Sequence, residues 1–201
     1  MFPIARQHTA LIVVDMQNGF CKPGGSIDRI GFPITMLQAA IAPCVQLVGL
    51  ARAAAVPVIY TRYCYRGDYA DGGLLVHTLM PQLKQQQALV AGSWDAAIVD
   101  ELAPQADDFI IDKNRPSSFY ATGLEPILSG LSVKELVVCG VTTNCCVEST
   151  VRDASQRDLL PHVVSDATGE LDPERHEAAL KTMGILFAQL VSVEDVAAAW
   201  G

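Results

Sequence analysis

The chain has 201 residues, half of them hydrophobic, with a formal net charge of −8 and a sequence pI of about 4.8. No run of lysine or arginine forms a basic stripe, so we expect neither nucleic acid nor an anionic membrane as a partner. Residues 1–9 lack the apolar core of a signal peptide, and no apolar stretch reads as long enough to span a bilayer. The six cysteines are too sparse for a disulfide scaffold, which favours free thiols in a reducing cytoplasm.

Short apolar and β-branched runs predict the strands of the fold. The first run reads ALIVV without a polar interruption, which is typical of a strand that is covered on both faces of a sheet. Predicted strands lie at residues 10–14, 56–63, 109–112, 135–141, 162–165 and 190–193.

Helical patterns separate these runs. They lie at residues 34–55, with Pro43 as a kink or break, and at 93–102, 123–131, 173–188 and 194–200. Strands that alternate with helices at this spacing predict the α/β class, as a three-layer α/β/α, doubly wound fold. We expect a six-stranded, mainly parallel sheet in Rossmann-like order. No linker interrupts the pattern, so a single domain is predicted over residues 1–201.

The turn after the fourth strand has the most informative sequence. It reads GVTTNCCVEST from Gly140 and connects a strand to a helix, with Asn144 as the expected N-cap. Cys145 and Cys146 then lie in the first helical turn, where free N–H groups and the helix dipole favour a thiolate. The alternative is a pair of buried cysteines that act as small hydrophobic residues.

Three chemically suited residues each follow a predicted strand, namely Asp15, Lys113 and Cys146. The carboxyl ends of parallel strands share one edge of a sheet, so these side chains are expected to converge. A thiol can attack a carbonyl carbon, a carboxylate can carry its proton to the leaving group, and an ammonium can stabilise both anions. Backbone N–H groups near Val141, at Thr142 and Cys146, are the expected oxyanion donors.

Motifs around these residues resemble the isochorismatase-like cysteine hydrolases over nearly the whole chain. The matching segments are residues 11–18 (LIVVDMQN), 112–119 (DKNRPSSF) and 140–147 (GVTTNCCV). The resemblance implies catalytic roles for Asp15, Lys113 and Cys146, because the family cysteine immediately precedes the valine of the last motif. It also implies a cis peptide bond between Val141 and Thr142, and a homo-oligomer, a dimer or a tetramer.

Within that family, CVEST followed by Arg152 and Asp153 is similar to the ureidoacrylate and biuret amidohydrolases. Asn114 stands where that branch often has proline, and residues 64–87 differ from it. Nicotinamidases of the same superfamily carry an Asp-x-His metal motif after the second strand. No histidine occurs at residues 60–73, so we expect neither a metal nor another cofactor.

The resulting hypothesis is a cysteine amidohydrolase that cleaves a C–N bond of a small amide, carbamoyl or ureido substrate. Asn18, Phe20, Tyr63, Trp94, Arg115 and Phe119 are the candidate pocket residues, although the aromatic ones also suit a core and Arg115 a salt bridge. One alternative is an isochorismate-type vinyl-ether hydrolase. Its dianionic substrate would need basic residues, for which Arg62, Arg66 and Arg115 are the candidates. Another is a non-catalytic binding protein on the same fold.

Overall fold

The structure, a computed structural model, describes residues 3–201. Its sheet consists of β1 Thr9–Val14, β2 Val58–Tyr63, β3 Phe109–Lys113, β4 Glu135–Val141, β5 Leu160–Gly169 and β6 Gln189–Val191. The strands are all parallel and lie in the order β3-β2-β1-β4-β5-β6. This is the doubly wound order, whose ligand crevice lies at the carboxyl edge where the strand order reverses. The predicted fold class is confirmed.

The central strands owe their position to their sequence. All six residues of β1 are buried, although successive side chains of a strand point to opposite faces, so both faces of the sheet are covered. β1 and β4 run in register up to the pair Val14 and Gly140. A Cβ on Gly140 would lie 2.1 Å from the carbonyl oxygen of Val14, and the residue has φ +108°. Only glycine therefore fits where these two strands end, directly before the functional residues.

Helices connect and cover the strands. In chain order they are α1 Asn18–Cys21, α2 Ser26–Ile30, α3 Thr35–Ala39, α4 Ile41–Ala53, α5 Gln82–Gln85, α6 Leu124–Gly130, α7 Glu148–Ser155, α8 Pro173–Leu186 and α9 Val193–Trp200. Two π-helical turns, Leu75–Leu79 and Thr143–Val147, and a 3₁₀ turn, Asp100–Leu102, complete the described elements. α4 packs against α9 and the sheet, and α7 packs against α8.

The predicted helix at residues 34–55 is divided at Ala40 into α3 and α4. Pro43 lies in the first turn of α4, where its missing N–H group is not needed. Contrary to the expectation from sequence, the segment Thr35–Ala53 is long and apolar enough for a membrane span by length and composition. In this fold Cys44, Leu47, Val48 and Ala51 are buried beside the sheet, as in the core helix of a globular protein.

Two local predictions were wrong. The segment at residues 93–102 is not a helix apart from the 3₁₀ turn, because its carbonyl groups pair with the start of α1. Asn18 and Gly19 donate their backbone N–H groups to Ala97 and Asp95 at 2.9 and 2.8 Å. β5 is also longer than predicted and continues to Gly169 instead of ending at Ser165. The predicted single domain includes residues 1 and 2, which lie outside the described part of the chain.

Candidate active site

Asp15 and Lys113 form a fully buried ion pair at the carboxyl edge of the sheet. Lys113 Nζ lies 2.6 Å from Asp15 Oδ2, and neither side chain is exposed to solvent. The hydroxyl group of Thr61 donates a hydrogen bond of 2.6 Å to the other carboxylate oxygen. Burial is the largest single effect and disfavours the ammonium form of Lys113, but the interactions with Asp15 and Cys146 together outweigh it and raise the pKa of Lys113.

Asp15 has an unusual backbone conformation directly after β1. Its φ of +50° lies in the left-handed region, which aspartate tolerates better than most residues. The backbone N–H group donates to the carbonyl oxygen of Thr61 at 3.2 Å. Thr61, on the neighbouring strand β2, therefore holds both the backbone and the side chain of Asp15. The sequence analysis did not identify Thr61, because nothing in the β2 pattern marks one buried threonine as a partner.

The cysteine-bearing turn differs from the prediction at its first residue. The N-cap is Thr142, not Asn144, and the helix begins as a π-helical turn at Thr143. Asn144 lies inside this turn, and its backbone N–H group donates to Glu170 Oε2 at 2.9 Å. The peptide bond between Val141 and Thr142 is cis, at the bond that the resemblance implies. This geometry delivers Cys145 and Cys146 to the same edge of the sheet as Asp15.

Cys146 is 3% exposed, whereas Cys145 is half-buried. The Lys113 ammonium and the Cys146 thiol interact electrostatically, which raises the pKa of Lys113 and tends to lower that of Cys146. The pKa of Cys146 is nevertheless raised well above its usual range, first by the hydrogen bond that it shares with Cys145 and then by burial. The expectation that the helix start favours a thiolate therefore does not hold for Cys146, whereas the pKa of Cys145 is lowered, first by the same hydrogen bond. The resting Cys146 thiol keeps its proton and needs a base.

A cavity of about 200 Å³ opens at this edge of the sheet, and its lining includes Thr142, Cys145 and Cys146. The walls are mainly apolar, with Phe20, Ile27, Phe32, Leu75, Leu83 and Leu89 among them. Phe20 and Tyr63 were predicted as pocket residues, and both line the cavity. Asp15 and Lys113 are buried beneath this surface.

Tyr63 and Tyr65 form the aromatic part of the wall, with ring centroids 5.2 Å apart. Lys113 Nζ lies 4.3 Å from the centre of the Tyr63 ring, a cation–π contact. Neither buried hydroxyl group has a hydrogen-bond partner of normal geometry among residues 3–201. Burial raises the pKa of Tyr65 to about 12, so the hydroxyl group stays protonated and can donate to a bound molecule.

The structure places three predicted pocket residues elsewhere. Asn18 is buried and its side-chain amide donates to the carbonyl oxygen of Trp94 at 3.0 Å. The Trp94 side chain is exposed outside the cavity. Phe119 is buried, with the guanidinium of Arg157 4.8 Å above its ring. The partners of Asn18 and Phe119 are distant in sequence, so the sequence pattern does not reveal them.

Arg115 does not line the cavity either. Its guanidinium donates to the carbonyl oxygens of Asp71 and Asn114 at 2.9 and 2.6 Å. A Cβ on Gly73 would lie 2.4 Å from the same group, so the loop closes tightly around it. Arg115 is therefore a structural anchor of this loop, and the predicted carboxylate-binding role is not supported.

Glu170 and Arg175 line the cavity and were missed by the sequence analysis. Glu170 directly follows β5, is 1% exposed, and accepts backbone hydrogen bonds from Asn144 and Leu171 at 2.9 Å. Arg175 Nη2 lies 3.7 Å from Glu170 Oε1, the oxygen that accepts from Leu171. Asp15 and Lys113 were predicted because they follow the carboxyl ends of strands. Glu170 would have been predicted in the same way if the end of β5 had been located correctly.

Asp95 joins two segments of the cavity wall. Its carboxylate accepts backbone hydrogen bonds from Ser26 and Leu89, each at 2.8 Å. A Cβ on Gly19 would lie 2.7 Å from the same carboxylate, so glycine leaves the space that Asp95 occupies. The wall is therefore tied together through one buried side chain.

Among residues 3–201, no group of three or more histidine, cysteine, aspartate or glutamate side chains is arranged to hold a metal ion. The polar groups at the cavity are instead those of an acid–base and nucleophile cluster. A carboxylate and an ammonium in direct contact and a buried thiol are brought to a cavity of small-molecule size, at the ligand-binding edge of a doubly wound sheet. Fold and site together define an α/β protein with a buried cysteine centre.

The chain belongs to the isochorismatase family, since residues 9–195 match the model of the isochorismatase domain. It is 38% identical to a ureidoacrylate amidohydrolase RutB of Azorhizobium caulinodans, covering 96% of this chain and 90% of that protein. A ureidoacrylate amidohydrolase RutB of Agrobacterium fabrum is 36% identical over 93% of this chain and 87% of its own. The crystal structure of a cysteine hydrolase from Pseudomonas syringae pv. phaseolicola superposes with a TM-score of 0.89 at 32% identity, covering 100% and 97% of the two chains. The expected enzyme class, a hydrolase of this family with amidohydrolase relatives, is confirmed.

Proposed function

We propose that this protein is a cysteine-dependent amidohydrolase that cleaves a C–N bond of a small amide, carbamoyl or ureido substrate through a thioester. The proposal is carried by the buried Asp15–Lys113 ion pair together with the buried Cys146 thiol, which interacts electrostatically with Lys113 and lines the cavity. The curated relatives, which are named amidohydrolases, supply the bond type.

In the first half-reaction Asp15 removes the thiol proton and Cys146 Sγ attacks the carbonyl carbon of the substrate. A base is required because the pKa of Cys146 is raised by its hydrogen bond to Cys145 and by burial. The backbone N–H groups of Thr142 and Cys146 are the proposed donors to the oxyanion. The proton on Asp15 then passes to the leaving nitrogen, the C–N bond breaks, and a thioester and an amine or ammonia remain.

In the second half-reaction Asp15, again a carboxylate, takes a proton from water as the water attacks the thioester carbonyl. The C–S bond breaks, the thiolate of Cys146 recovers the proton from Asp15, and the acid product leaves. Lys113 is positively charged in the resting site, because the interactions with Asp15 and Cys146 together outweigh the effect of burial and raise its pKa. It therefore stabilises each anion that forms beside it.

The vinyl-ether alternative has less support. A dianionic substrate would need unpaired basic groups in the cavity, but Arg62 is paired with Asp112 at 2.7 Å and Arg66 with Asp68 at 3.0 Å. Arg115 is bonded to backbone carbonyl groups. None of the three lines the cavity.

Ammonia release from a panel of amides and ureas tests the proposal. An Asp15→Asn variant should fold but lose about 10²- to 10⁴-fold in kcat, the usual contribution of a general acid–base group. Asp112→Asn is the matched control on the exposed side of β3, and it should keep nearly all activity. Near-normal turnover by Asp15→Asn, or no ammonia from any compound with wild type, would disprove the proposed mechanism.

A further inference from the structure

The walls of the cavity indicate which substituent the substrate carries. Phe20, Ile27, Leu83 and Leu89 are buried by the surrounding protein, while Phe32 and Leu75 are half-buried and border the opening. These are alkyl and phenyl surfaces without a hydrogen-bonding group. A polar substituent that entered would lose its hydration without compensation, whereas an apolar one would gain from burial.

The charged groups of the site are already matched with each other. Lys113 is paired with Asp15, and Arg175, the other basic group at the cavity, lies 3.7 Å from Glu170. The Glu170 carboxylate is 1% exposed and lies in the cavity wall beside Asn144. A substrate carboxylate would therefore have to compete with the Glu170 carboxylate for the half-exposed Arg175, and it would meet no other arginine or lysine in the cavity lining. The uncharged hydroxyl groups of Tyr63 and Tyr65 suit the polar end of a neutral amide.

We propose that the substrate is an uncharged amide or urea with an apolar substituent, an alkyl chain or an aromatic ring. This deepens the proposed amidohydrolase function and rests on it. The proposed substrate differs in charge from ureidoacrylate, the carboxylate-bearing compound for which the relatives are named. Apolar walls select the substituent and Glu170 rejects its charged counterpart, while the chemistry at Cys146 stays the same.

Three amides test this selection by ammonia release: hexanamide, its terminally carboxylated counterpart adipamate, and acetamide. Each methylene buried in an apolar wall contributes about fourfold to binding. We expect kcat/KM for hexanamide to exceed kcat/KM for acetamide by at least about tenfold, because the longer chain fills the apolar wall. We also expect it to exceed kcat/KM for adipamate by at least about tenfold, because a carboxylate loses its hydration there. Adipamate hydrolysed as fast as hexanamide would overturn the inference and leave the amidohydrolase function intact. If wild type released no more ammonia than Cys146→Ala from any of the three, both would fall.

A pair of variants in one short helical turn links the selectivity to the wall. Leu75 lines the cavity, whereas Leu79 in the same turn is 64% exposed and does not. Leu75→Ala should lower kcat/KM for hexanamide by roughly fivefold or more, and by a larger factor than kcat/KM for acetamide. Leu79→Ala should change neither, with equal melting temperatures as evidence that both variants fold. An unchanged kcat/KM for hexanamide in Leu75→Ala would contradict the inference. If Leu75→Ala does not fold, the comparison of the three amides with the wild-type protein still tests the inference.

Discussion

Two adjacent cysteines face the cavity, and their different neighbours separate their roles. Lys113 acts electrostatically on both thiols, but Cys146 is 3% exposed and contributes to the raised pKa of Lys113, whereas Cys145 is half-buried and does not. Replacing Cys146 by Ala should therefore abolish ammonia release. Replacing Cys145 by Ala should leave measurable turnover and cost about 1 kcal/mol of stability, the effect of removing one partly buried atom. Steady-state kinetics and urea unfolding measure the two effects. Loss of activity in Cys145→Ala alone would reverse the assignment.

The Asp15–Lys113 pair should contribute to stability as well as to catalysis. Lys113→Met leaves a buried carboxylate without its partner, which typically costs about 3–5 kcal/mol. Lys22→Met, which breaks the partly exposed pair with Glu101, should cost less than about 1 kcal/mol. Urea unfolding of the two variants at neutral pH measures the difference, and equal losses would contradict a special role for the buried pair.

The pH dependence of this stability has a definite sign. Burial, the largest single effect, lowers the pKa of Lys113, but the interactions with Asp15 and Cys146 together outweigh burial, so the pKa is raised in the folded protein. The stability from the charged ammonium is therefore fully present below the pKa of the unfolded chain. It is lost as the pH rises through the higher folded value. Unfolding measured from neutral to strongly alkaline pH should show wild type losing more stability than Lys113→Met.

Among residues 3–201 the buried hydroxyl groups of Tyr65 and Tyr60 both lack a hydrogen-bond partner of normal geometry. Tyr65 lines the cavity, but Tyr60 does not. Tyr65→Phe and Tyr60→Phe should both keep or slightly raise the melting temperature, because each removes an unsatisfied polar group. Only Tyr65→Phe should raise KM, since only that hydroxyl group can donate to a substrate. Equal kinetics for the two variants would exclude this role.

At the level of secondary-structure elements, Glu170 joins the end of β5 to the turn that carries the cysteines. Its bond to the Asn144 N–H group is charge-assisted, and its loss should cost roughly 1–3 kcal/mol. Glu170→Ala should also lower kcat, because small displacements of a nucleophile are costly. Glu174→Ala, at an exposed position in the first turn of α8, is the control and should change neither quantity. An unaffected kcat in Glu170→Ala would limit this residue to a structural role.

The elements that the sequence predicted well are those with continuous apolar runs. β1 and β4 are buried on both faces, so their patterns also located Asp15 and Cys146 at the strand ends. The cavity walls were harder, since Leu75 and Leu83 lie in a long connection whose path depends on distant contacts. Arg115 illustrates the same limit: its side chain direction follows from carbonyl groups at Asp71 and Asn114, which no local pattern encodes.

For the molecule as a whole, the composition and the fold predict catalysis without a metal. The sequence lacks a histidine cluster after the second strand. Residues 3–201 also contain no group of three or more histidine, cysteine, aspartate or glutamate side chains that could hold a metal ion. Exhaustive dialysis against a chelator should leave ammonia release unchanged. Activity that disappeared on dialysis and returned with Zn²⁺ or Fe²⁺ would overturn the metal-independent mechanism. Metal analysis of the dialysed protein is the control that the chelator acted.

The carboxylate of Asp95 gives the wall of the cavity a particular dynamic behaviour. Because Ser26 and Leu89 donate to the same side chain, neither segment can move away without breaking a charge-assisted hydrogen bond. Opening of the wall should therefore be a single cooperative event, and the two amide protons should exchange with solvent at similar, slow rates. A cavity that is held in shape before binding loses little conformational entropy when the substrate enters, so more of the contact energy remains for recognition.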